Sequence, residues 1–213
     1  MAAAKKLHHL NAWERTPACR QPATLPTEIP GLDELLPGGG WPEAGLVDIV
    51  VPDDYADAAG LVLPLLARLG EQERWMGMVA PPCLPRSRIL QDKRINPFRL
   101  LQINPHAGRS DMWTMEYMLQ DGNYSVVLGW PSCDTELMAR RLANAALAGN
   151  SLGILFRYES FSRTVSGNGL RLKLEVNEVG KLLYRLNSRG ERQSDAVVIT
   201  GSGSVRHQVC LAE

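Results

Sequence analysis

From Leu46 onward, apolar runs of strand length alternate with stretches whose apolar residues recur at helical spacing. The runs at 46–51, 75–80, 99–103, 124–129 and 152–157 predict strands, and the stretches at about 56–69, 86–92, 111–121 and 135–148 predict helices. Strands that are apolar on both faces and separated by helices form a parallel sheet covered on both sides. The expected class is therefore α/β, a mostly parallel sheet with helices on both faces. Asp134 or Thr135 is a suitable cap for the helix at 135–148, and Gly149-Asn150 is a suitable stop.

The two ends read differently. Residues 1–28 are polar and rich in proline, which predicts an arm laid on the surface or partly disordered; Trp13 either anchors it or makes a satellite packing contact. Ile29, Leu32, Leu35 and Leu36 have helical spacing in a short segment ended by Gly38-Gly39-Gly40, and Trp41-Pro42 turns the chain into the first strand. After Tyr158 comes a loop. Leu170–Val176 then alternates strictly, as a half-exposed strand does, and with 181–186 and 196–200 it predicts an antiparallel C-terminal extension before a loose tail. The expected division is an arm at 1–28, a core at 29–158, and an extension and tail at 159–213.

Composition narrows the function. The 213 residues carry 23 basic and 23 acidic side chains, which argues against nucleic-acid binding through the whole surface. Cys19, Cys83, Cys133 and Cys210 form no CxxC pair, so no zinc site or disulfide framework is signalled. Neither a secretory leader nor a membrane span is legible, and a cytoplasmic location is expected.

The first strand leads into a loop where a nucleotide-binding protein would place a glycine-rich phosphate cradle ending in Lys and Ser or Thr. Here the segment holds Val51, Pro52, Asp53, Asp54, Asp57 and Gly60, and no Lys or Arg occurs between Gln21 and Ala67. Pro52 offers no N–H, and carboxylates repel phosphates by about 1 kcal/mol or more per close pair even when well screened. Strand 124–128 also ends in Gly129-Trp130, where a metal-holding carboxylate would be needed. ATP hydrolysis is not expected; Asp53 or Asp54 is instead expected to cap the next helix. His8-His9 and the aspartate run lack metal-site spacing, and no nucleophile motif occurs, so the chain reads as a binding protein with neither enzyme activity nor cofactor.

Candidate partner contacts are Pro82, Leu84, Pro85 and Arg86 in a rigid loop after the second strand, together with Trp130 at a neighbouring strand end, where α/β proteins place ligand sites. Arg86, Arg88, Lys93, Arg94 and Arg99 outnumber Asp92. Arg163 to Arg192 holds seven basic residues against three acidic, among them Lys181, Arg185, Arg189 and Arg192, a strip suited to weak contact with DNA or an acidic partner. Helix 111–119 is rich in Met and aromatics that either pack the sheet or offer a further surface. Unpaired strands near either terminus leave self-association open.

The order LPTEIPGLDELLPGGGWPEAGLVDIV, LLPLLARLGEQERW, GNYSVVLGW, RRLANAALAGNSLGILFR and LRLKLEV with GKLLYRLNSRG resembles ImuA, a RecA-like accessory of translesion-synthesis cassettes. The resemblance runs from about Leu25 to Arg189. Its centre, Leu46 to Phe156, is also similar to SulA, the SOS-induced inhibitor of the division protein FtsZ. The LPGGGWP entry and the basic C-terminal extension favour ImuA. That resemblance implies a RecA-like fold without ATPase chemistry and an adaptor that binds an ImuB-like polymerase and RecA; a SulA-like role would instead imply FtsZ as partner.

Overall fold

The computed structural model describes residues 23–53, 58–83, 85, 87–105, 110–131, 135–161, 169–178, 180–187, 189–194 and 196–199. In chain order these form β1 (Thr24–Leu25), α1 (Leu32–Leu35), β2 (Trp41–Pro42), β3 (Gly45–Val51), α2 (Leu63–Leu69), β4 (Trp75–Val79), α3 (Ser87–Asp92) and β5 (Leu100–Ile103). There follow α4 (Asp111–Gln120), β6 (Tyr124–Gly129), α5 (Glu136–Ala148), β7 (Leu152–Tyr158), β8 (Leu170–Asn177), β9 (Gly180–Leu186) and β10 (Val197–Ile199). Among the described residues no helix is long and apolar enough to cross a membrane.

Eight strands make one sheet in the order β10-β9-β8-β3-β7-β6-β4-β5. β3 lies between two parallel neighbours, with Gly45 opposite Leu152 and Val47 opposite Leu170. Parallel pairing continues from β7 to β6, β4 and β5. The C-terminal strands pair with one another in antiparallel fashion as expected, and what the sequence did not indicate is how they join the core. β8 pairs antiparallel with β9, and β9 with β10, while the other edge of β8 joins β3 in parallel. Strict alternation reports a strand with two unlike faces; it does not report direction.

One face of β3 turns Val47, Ile49 and Val51 toward α1 and α2, in a core that also takes Trp41, Met76, Met78, Val126, Leu128, Ile154 and Phe156. The other face packs Leu46, Val79, Val127 and Leu155 against Met112, Met115, Met118 and Leu119 of α4 and Leu142 and Ala146 of α5. The sheet is thus covered on both faces, as the doubly apolar strands require.

Local chemistry sets the helix ends. The expected helix at 56–69 opens as a 3-10 turn over Ala58–Val62 and becomes α-helical at Leu63, because Pro64 lacks an N–H and suits only the first turn. Thr135 caps α5 as expected, its Oγ1 accepting from Met138 N–H at 3.3 Å. Asn150 takes the left-handed turn after that helix (φ 48). Gly149 is needed for space: a Cβ there would stand 1.9 Å from the Leu119 carbonyl oxygen, where the ends of α4 and α5 meet. Trp41-Pro42 does more than turn the chain, since it pairs with Thr24-Leu25. Thr27, fully buried, donates its N–H to Asp33 Oδ1 at 2.8 Å.

Candidate functional site

Parallel pairing brings the carboxyl ends of β3, β7, β6 and β4 side by side, where a nucleotide would sit in an active relative of this architecture. Val51 is buried, Pro52 follows it, and Gly60 lies in the 3-10 turn. Asp53 does not cap the next helix. Its Oδ1 accepts from Ser160 N–H at 3.0 Å, tying the loop to the chain after β7, and α2 starts at Val62 with no side-chain cap. Asp54 and Asp57 lie outside the described residues. Tyr158 stands at the end of β7; burial pushes its hydroxyl pKa up, helped by Cys83 and Asp53 nearby. Among the described residues no group of three or more His, Cys, Asp or Glu is placed to hold a metal ion.

The loop after β4 begins with Ala80 at φ 51, a left-handed turn, its N–H donating to Ile103 O at 2.9 Å. Pro82 is exposed and Pro85 half-buried, while Leu84 and Arg86 lie outside the described residues. Trp130 is not the exposed anchor that its position suggested. Its ring is 7% exposed and stacks on Phe156 with centroids 4.8 Å apart, so it belongs to the core.

The four C-terminal cations do not form one strip. Lys181 and Arg185 share the β9 face that carries Leu183, whereas Arg192 lies over the Tyr184 ring at 4.9 Å on the opposite face. Arg189 is exposed in the turn beyond, its N–H donating to Asn187 Oδ1 at 2.8 Å. On the Tyr184 face, Lys173 bridges Glu159 at 2.6 Å and Glu175 at 3.3 Å. Glu159 is the main cause that raises the Lys173 pKa; the Tyr184 hydroxyl is the main cause that lowers that of Glu175.

Sequence reasoning missed a buried ion cluster. Asp48 in β3 meets Arg157 Nε of β7 at 2.8 Å and Arg171 Nε of β8 at 3.4 Å, and all three side chains are buried. Burial pushes the Asp48 carboxyl up, and the two guanidiniums pull it back. The available signal was one Asp inside the apolar run Leu46-Val47-Asp48-Ile49-Val50. A charge there costs several kcal/mol unless partners are supplied.

A second missed feature lies at the outer sheet edge. Phe98 is 86% exposed, Trp75 41% and Leu101 39%. Arg99 sets its guanidinium 5.6 Å from the Trp75 ring centroid and donates to Glu73 O. Its sequence signal is faint, a single Phe between Pro97 and Arg99. On α4 the four inward residues pack the sheet as expected, while Trp113 and Tyr117 stack 5.9 Å apart on the solvent side.

These features define an α/β protein whose strand ends, among the described residues, hold no metal-ligand cluster, and whose exposed aromatics sit at a sheet edge and on one helix. The family model described as cell division inhibitor SulA matches residues 45–153, just over half of the chain. The cell division inhibitor SulA of Serratia marcescens is 34% identical over 133 residues, covering 62% of this chain and 79% of its own length. That of Edwardsiella piscicida is 33% identical over 141 residues, covering 66% and 75%. The crystal structure of SulA from Pseudomonas aeruginosa aligns with a TM-score of 0.45 at 20% identity over 53% of this chain and 97% of that one. The chain belongs to the SulA family. The ImuA resemblance is thereby corrected, and with it the translesion-synthesis role and the ImuB-like and RecA partners. The entry segment before Gly45 and the strands β8 to β10, which pulled toward ImuA, lie outside the matched core.

Proposed function

We propose that this chain is a non-enzymatic cell division inhibitor of the SOS response that acts in the cytoplasm by binding FtsZ and blocking its polymerisation. The carrying observation is the SulA family match from β3 to the first residues of β7, which takes in most of the strands and helices of the core. The curated relatives bear the name cell division inhibitor. The surface supports the reading, because exposed aromatic side chains with an ordered arginine are what protein interfaces use as anchors. A RecA-type frame whose phosphate loop has been replaced by Pro52 and Asp53 accounts for the parallel sheet without ATPase groups.

The test is FtsZ assembly with GTP, followed by light scattering and sedimentation, with the purified chain at equimolar ratio. Polymer mass is expected to fall sharply and to be indifferent to added ATP. Undiminished assembly would remove the proposal.

A further inference from the structure

Resting on the FtsZ reading, we infer that the outer edge of β5 receives an extended, carboxylate-bearing segment of the partner as an added strand. Among the described residues β5 pairs only with β4 and ends the sheet. In a parallel pair, alternate residues turn both backbone groups to the neighbour. Ala80 N–H donates to Ile103 O, so Leu101 and Ile103 face β4, and Leu100 and Gln102 face outward. Leu100 N–H is taken by Pro97 O. Among the described residues the Leu100 carbonyl and both backbone groups of Gln102 remain for an incoming strand.

The side chains around this edge are unlike those of the opposite one. Phe98, Trp75 and Leu101 present apolar surface beside it. Arg99 is held over Trp75 and by the Glu73 carbonyl, and its other N–H groups make no hydrogen bond among the described residues. A guanidinium fixed in this way loses little freedom on meeting a carboxylate, which can take two of its parallel N–H donors. Arg88, Lys93 and Arg94 add positive charge, against Asp92, Glu71 and Glu73, and Asp92 is already bridged to Arg88 at 4.0 Å. At the other end of the sheet, β10 spans Val197–Ile199, and Val197 packs against Gly31. Pro97 and Pro105 flank β5, which keeps the added ladder to a few residues and leaves much of the affinity to Phe98 and Arg99.

The probe is FtsZ held unassembled with GDP, titrated against the full chain, with amide hydrogen exchange read on the complex. Phe98→Ala and Gln102→Pro are each expected to weaken binding by ~10-fold or more, the first by removing the anchor and the second by removing an outward N–H. Neither should unfold the chain, because Phe98 is exposed and the Gln102 N–H lies outside the β4 ladder. Exchange at Gln102 should slow in the complex, a readout independent of either variant. If the unaltered chain does not bind FtsZ, the function proposed above fails and this inference with it. If it binds, but Phe98→Ala leaves the affinity unchanged or exchange at Gln102 does not slow, the added strand alone is overturned.

Discussion

Asp48→Asn removes one charge and almost no volume from the centre of the sheet, which makes it a clean test of the buried ion cluster. In the native arrangement the carboxylate meets Arg157 Nε at 2.8 Å and Arg171 Nε at 3.4 Å, all out of solvent. Deleting one partner of a buried ion pair costs ~3–5 kcal/mol, chiefly because the remaining charge stays buried without compensation. Asn keeps a carbonyl oxygen that can accept from one guanidinium, so the lower end, about 3 kcal/mol, is expected. That is a large share of a total stability of ~5–15 kcal/mol. At ~2–4 °C per kcal/mol for a domain of this size, the melting temperature should drop by roughly 6–12 °C. Urea unfolding should show a lower midpoint with an unchanged slope. The triple change Asp48→Leu, Arg157→Met, Arg171→Leu should recover most of the loss, since the unpaired charge carries the cost. A loss below about 1 kcal/mol for Asp48→Asn would refute the reasoning, because a buried cluster cannot lose its anion at so small a cost.

Two further outcomes follow from local geometry. Gly149→Ala puts a methyl group 1.9 Å from the Leu119 carbonyl oxygen, so the ends of α4 and α5 must part; a loss of ~1–3 kcal/mol in thermal unfolding is expected, and an unchanged melting temperature would contradict the close approach. Glu175 has a depressed folded pKa, first through the Tyr184 hydroxyl and then through Lys173, so its contribution is present above the unfolded glutamate pKa and lost as pH falls through the folded one. The stability gap between the native chain and Glu175→Gln, at most ~1 kcal/mol for so exposed a group, should be full at neutral pH and close on acidification; a gap that persists well below the usual glutamate range would count against the assignment.

Strand and helix positions between Gly45 and Tyr158 were legible because each element carries its own periodicity, and for α5 its own start and stop signals, Thr135 and Gly149. Beyond that core the antiparallel pairing of the C-terminal strands was legible, but the way β8 joins β3 was not. Alternation in Leu170–Val176 is the same whether the strand runs parallel or antiparallel to its neighbour, and the deciding neighbour, β3, is far away in sequence. The candidate sites fared similarly. Asp53 was expected to cap the next helix, and its true partner, Ser160, lies 107 positions further along the chain. Whether Trp130 is exposed depends on Phe156, which lies beneath it in three dimensions. Asp48 needed two arginines from other strands to make sense, and Phe98 needed the knowledge that β5 ends the sheet among the described residues.

β3 is made early and acquires its neighbours late. Both strands that pair with it follow roughly a hundred residues or more later, so its ladder is a long-range closure of the kind that slows folding. During synthesis the run Leu46–Val51 leaves the ribosome as a nearly uncharged, β-prone segment with no strand to accept it until Leu152 and its successors emerge. Asp48 is the single charge in that run, and before it meets Arg157 and Arg171 it acts as a gatekeeper against premature association. The same carboxylate therefore guards the nascent chain in water and later bolts the finished sheet together in its absence.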